Sequence, residues 1–99
     1  MLALLQMKLP AGLTAIDEEA FLCSAAQCVI LPDGCQTIAA RAFAYCAQLQ
    51  VIEIPASVTD IDPTAFASHM DSLVILTTPG SAAQTFAETY GILCVTVQE

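Results

Sequence analysis

LQVIEIPASVTDIDPTAF, residues Leu49 to Phe66, decides the fold, because its skeleton of apolar residues, one proline and an alanine-phenylalanine pair recurs upstream. Leu49-x-x-Ile52-x-Ile54-Pro55-x-x-Val58-x-x-Ile61-x-x-x-Ala65-Phe66 is matched by Ala26, Val29, Leu31, Pro32, Cys35, Ile38, Ala42 and Phe43, and before that by Leu4, Met7, Leu9, Pro10, Leu13, Ile16, Ala20 and Phe21. Prolines 10, 32 and 55, isoleucines 16, 38 and 61 and phenylalanines 21, 43 and 66 all step by 22 and then 23 residues. A period of that length is the signature of a solenoid, in which no unit can bury its apolar side alone and neighbours stack to complete the core. Over 99 residues it allows about four turns in one domain. The expected units run over about residues 4–25, 26–48 and 49–72, with a C-terminal cap over 73–99.

Within each unit, Met7 to Leu9, Val29 to Leu31 and Ile52 to Ile54 read as short strands with alternate residues inward. The proline ends each strand because it has no N–H to give to a ladder. Equivalent residues should stack roughly 4.8 Å apart, giving a column of Phe21, Phe43 and Phe66 and beside it a column of Ser24, Cys46 and His69. The same alignment puts Glu19 beside Arg41. A fourth copy begins as Leu73-x-x-Leu76-x-Thr78-Pro79 and gives way to a helix. Ser81 and Gln84 form a capping box, Ala82, Phe86 and Tyr90 share one face, and Gly91 stands at the C-terminal cap. A last strand over Ile92 to Val97 is expected to help close the stack. The whole is an α/β chain.

Composition narrows the function. The chain is 57% hydrophobic and 12% charged, yet no apolar run approaches the roughly 18 to 20 residues that cross a bilayer, so the apolar residues go into a core or an interface. Two basic residues, Lys8 and Arg41, against ten acidic ones give a net charge of −8, which repels phosphate backbones and anionic headgroups. Nucleic acid and membrane insertion are therefore not expected. The first residues, MLALLQM, lack the charged start of a signal peptide and begin inside a repeat, which reads as a piece of a longer protein. Five cysteines, at 23, 28, 35, 46 and 94, form no CxxC pair; Cys35 and Cys46 fit buried thiols better than a disulfide framework.

The stretches IPASVTDIDPTAF and AFAYCAQLQVIEIP resemble the BspA-like leucine-rich repeats. Ile52, Ile54, Pro55, Ser57, Val58, Thr59, Ile61, Ala65 and Phe66 keep that family's pattern in the third unit, and Cys46 and Leu49 keep it in the second. The glycine usual after the isoleucine is replaced by Asp17, Ala39 and Asp62, and Ser24 and His69 interrupt the cysteine column. The resemblance implies a curved leucine-rich-repeat solenoid with a C-terminal capping helix and strand. It also implies a role in adhesion and protein binding at a bacterial cell surface or in secreted proteins, and no catalytic residues.

Candidate sites follow from the columns. The outward strand residues Lys8, Cys28, Ile30, Val51, Glu53, Ile75 and Thr77 make a mixed face with an apolar centre, the kind of surface that takes a protein partner or supports self-association. The open N-terminal rung, with Leu4, Met7 and Leu9, is a second sticky surface. Cys46 and His69 are the nearest approach to a nucleophile and base, but no residue orients the histidine and no oxyanion site accompanies it, so a thiol enzyme is the alternative rather than the reading. A purely structural spacer is the other. The cysteines lack zinc spacing, and Asp17-Glu18-Glu19 and Asp60-x-Asp62 form no calcium loop, so neither metal nor cofactor is expected.

Overall fold

The computed structural model describes residues 6–9, 11–22, 26–46, 48–66 and 73–96, with residues 6–8 described by their backbone. Each of the first three repeats contributes one strand to each of two parallel sheets. Strands β1 (Gln6–Lys8), β3 (Cys28–Ile30), β5 (Val51–Glu53) and β7 (Val74–Thr77) lie side by side, and β8 (Leu93–Thr96) pairs with β7 to give the order β1-β3-β5-β7-β8. The second sheet consists of β2 (Ala15–Ile16), β4 (Thr37–Ile38) and β6 (Asp60–Ile61), in that order. Helix α1 (Ala82–Tyr90) crosses from β7 to β8.

The register follows the sequence period. Met7 pairs with Val29 and Val29 with Ile52, while Ile16 pairs with Ile38 and Ile38 with Ile61. In the second and third repeats the turn after the first strand is closed by Cys35 N–H to Pro32 O at 3.2 Å and by Val58 N–H to Pro55 O at 3.1 Å. Gly34 takes φ +96° in the first of these, a left-handed conformation open to glycine at little cost. Ser57 occupies the equivalent place one repeat on. Its hydroxyl donates to Cys35 O at 2.7 Å and accepts from Gly34 N–H at 3.0 Å, so the serine of the Pro-x-Ser-Val motif sews one repeat to the preceding one.

Side-chain columns fill the space between the sheets. Phe43 is 1% exposed and stacks on Phe21 (centroids 5.2 Å, 4° between planes) and Phe66 (5.6 Å, 11°). Near-parallel rings follow from identical backbone settings in successive repeats, where Phe21 N–H donates to Ala42 O and Phe43 N–H to Ala65 O, each at 2.8 Å. Such ring pairs add about 0.5–1.5 kcal/mol each beyond the area they bury. Phe86 of α1 continues the column edge-on against Phe66 at 6.0 Å, and Tyr90 lies 4.8 Å beyond it.

Equivalent second turns differ in a telling way. Glu19 (φ +58°) and Arg41 (φ +54°) both adopt the left-handed region, which costs a non-glycine residue roughly 1 kcal/mol. The third repeat avoids this: Pro63 fits the turn, and Asp62 accepts from Thr64 N–H at 2.8 Å and from its hydroxyl at 2.6 Å. Glu19 and Arg41, side by side as expected, form an exposed ion pair at 2.8 Å.

The fourth strand corrects the alignment. Ile52 pairs with Ile75, not with Leu76, so the step is again 23 residues and every side chain of β7 lies on the face opposite to the one expected. Ile75 and Thr77, read as outward, are 0% and 3% exposed, whereas Val74 and Leu76 face out. Burying Thr77 is tolerable because its hydroxyl meets Ile54 O at 2.8 Å and Ser81 Oγ at 2.8 Å. The helix is also turned from expectation. Ser81 caps it by accepting from Gln84 N–H, and Gly91 (φ +71°) ends it, but the buried face is Ala83, Phe86 and Ala87, leaving Ala82 half-buried and Tyr90 exposed.

Candidate protein-binding face

Alternation sends one residue in two of each β-strand away from the core, and parallel in-register pairing lines those residues up across the sheet. One outward column runs Cys28, Val51, Val74, Leu93 and the other Ile30, Glu53, Leu76, Val95, with Gln6 and Lys8 at the matching backbone positions on β1. Cys28, Ile30, Val51, Val74 and Leu76 are half-buried by their own neighbours, while Leu93 and Val95 on β8 are 65% and 46% exposed. A continuous apolar surface thus spans β3, β5, β7 and β8, with the Glu53 carboxylate set into it. Of the residues picked from the sequence, Cys28, Ile30, Val51 and Glu53 stand on this face; Lys8 holds the matching backbone position on β1, and Ile75 and Thr77 belong to the core. Val74, Leu76, Leu93 and Val95 also stand on this face, and the sequence signal for the first two is the 23-residue step from Val51 and Glu53.

At the C-terminal lip of this face a groove of about 240 Å³ opens between Asp33, Glu53, Pro55, Ala56, Leu76 and Thr78. A shallower hollow of about 280 Å³ lies between β6 and α1, bounded by Thr59, Asp60, Thr85 and Tyr90. Within the described residues no helix is long and apolar enough to cross a membrane, and no three metal-ligating side chains converge.

The thiols are largely occupied with packing. Cys46 is buried, and its Sγ donates to Phe21 O at 3.1 Å, a contact that ties two repeats together. His69, Cys23 and Ser24 lie outside the described residues, and so does Leu4 of the N-terminal rung. Burial pushes the Cys35 thiol up, against a weaker opposing effect from its contact with the Thr37 backbone. Burial also raises Cys94, helped by the nearby Glu88 charge. Neither is tuned toward the thiolate that nucleophilic or metal chemistry requires.

No curated protein and no solved structure matches this chain. The profile of the BspA type leucine rich repeat region (6 copies) matches residues 2–90. Leucine-rich-repeat regions of this kind are generally non-enzymatic modules that mediate protein interactions. The recurring strand, proline turn and stacked phenylalanine are the physical content of that match, and the chain belongs to the BspA-type leucine-rich repeat family.

Proposed function

We propose that the chain is a single-domain solenoid of about four turns, closed by a cap over residues 73–99, that holds a protein partner on the outer face of its five-stranded sheet. Its setting is an adhesion-type protein at a bacterial cell surface or in secretion. The observation that carries this reading is the apolar surface of Cys28, Ile30, Val51, Val74, Leu76, Leu93 and Val95, which ends in two openly exposed side chains. Large apolar side chains kept in contact with water on a regular sheet face weaken solubility and fit a surface that is covered in use.

The test compares three proteins in capture from a cell-surface extract: the parent, Val51→Lys with Val74→Lys, and Met7→Asp at the N-terminal edge. Val51 and Val74 are half-buried on the outer face, so each of the two lysine substitutions should cost about 1 kcal/mol of folding stability. The double variant should remain folded, with a modestly lower urea midpoint than the parent, and lose the captured partner. If it retains every interaction while Met7→Asp loses them, the sheet face is not the working surface.

A further inference from the structure

The charge distribution says what kind of segment fits the face. Asp33 and Glu53 are both exposed and stand on the rim of the groove whose walls are Pro55, Ala56 and Leu76. The groove is continuous with the apolar columns through Leu76, which pairs with Glu53 on one side and Val95 on the other. Arg41, the basic residue whose side chain is described, is engaged with Glu19 at 2.8 Å. A net charge of −8 sets the sign of the field around the molecule, and a second copy carries the same charge, so the field opposes a second copy and favours a basic partner.

From this the geometry points to a partner segment in extended conformation that carries a lysine or arginine among apolar residues. Its apolar side chains lie on Val74, Leu76, Leu93 and Val95, and its cation reaches the groove between Asp33 and Glu53 with the aliphatic stem along Leu76 and Pro55. Long basic side chains suit such a place because the stem covers apolar surface while the head remains solvated beside the carboxylates. This inference rests on the sheet face being the binding surface and adds the chemistry of what binds there.

The experiment uses three fluorescent synthetic nonapeptides of identical apolar residues that differ at one central position, which is arginine, glutamine or glutamate. Binding is read by anisotropy on the whole chain at low and at high salt. The expected order is arginine over glutamine over glutamate, with arginine favoured about fivefold over glutamine at low salt and the gap shrinking as salt rises. Asp33→Asn with Glu53→Gln should bring the arginine and glutamine peptides together. The same charge change made elsewhere, Asp17→Asn with Glu18→Gln, should leave most of the difference in place, which separates the groove from the general acidity of the chain.

Equal binding of the three peptides, all of it lost in Val51→Lys with Val74→Lys, overturns the cation site and leaves the binding face intact. An arginine preference that survives the groove double variant overturns it too. If none of the peptides binds the parent, the extended basic-apolar segment is wrong, and the face is judged by the capture experiment alone. A dimer in sedimentation that dissociates on Val51→Lys with Val74→Lys makes a second copy the occupant and also overturns the proposal.

Discussion

Replacing Phe43 by alanine removes the middle ring of a stack, and the structure allows the cost to be worked out. The side chain is 1% exposed, so its loss forfeits roughly 2–3 kcal/mol of apolar transfer free energy. The space left behind adds to this if it persists, at about 24 cal/mol per Å³. It should persist. Phe21 and Phe66 sit at 5.2 and 5.6 Å on either side, and the backbone between them is fixed by Phe43 N–H to Ala65 O at 2.8 Å, so neither neighbour can slide in. The total is about 3–5 kcal/mol. For a domain of this size that is a large part of a stability of about 5–15 kcal/mol, so Phe43→Leu, which keeps most of the volume, serves as the graded companion. Urea unfolding followed by far-ultraviolet circular dichroism should show the midpoint falling sharply for alanine and modestly for leucine. An unchanged midpoint for Phe43→Ala would refute the stacking of the repeats.

Three further outcomes follow from particular contacts. A double-mutant cycle on Glu19→Ala and Arg41→Ala should give a coupling of about 0.5 kcal/mol, no more than 1, that fades in molar salt; a salt-independent coupling would contradict an exposed pair. Asp62 is held below its ordinary carboxyl value by the Thr64 hydroxyl first and the Thr64 N–H second, so its stabilising effect is present above the unfolded value near about 3.9 and is lost as pH falls through the lower folded value. Thr64→Val should raise the Asp62 titration midpoint in a carboxyl-resolved NMR titration, and no movement would remove the hydroxyl as the main cause. Ile75→Glu should unfold the chain where Val74→Glu does not, because the first puts a charge into the core and the second into solvent-facing sheet.

Most of this architecture is legible in the residues, for physical reasons that also explain the misses. Phe21, Phe43 and Phe66 announce their column because a large ring recurring at a fixed step has one place to go. Ser81, Gln84 and Gly91 bound the helix because capping is local chemistry. The register of β7 is not legible from alternation, since Val74, Ile75 and Leu76 are all apolar and either face reads as core; Thr77 looks like a surface residue until Ile54 and Ser81 are seen to satisfy its hydroxyl. The helix rotation was hidden by alanines at 82, 83 and 87, which differ in burial without differing in chemistry. The candidate face inherits the same ambiguity: alternation from Leu76 as an inward residue assigns Ile75 and Thr77 to it, whereas the observed pairing puts Val74 and Leu76 there.

Which side chains of β7 and β8 meet water is therefore the point on which the face, its groove and its proposed partner all depend. Methyl-resolved NMR with a soluble gadolinium relaxation agent reads it in one experiment on the whole chain. Strong enhancement is expected at Leu93 and Val95, intermediate enhancement at Val51, Val74 and Leu76, and almost none at Val29, Ile52, Ile54 and Ile75. Strong enhancement at Ile75 together with protection of Val74 and Leu76 would place the fourth strand one residue out of register and contradict the account.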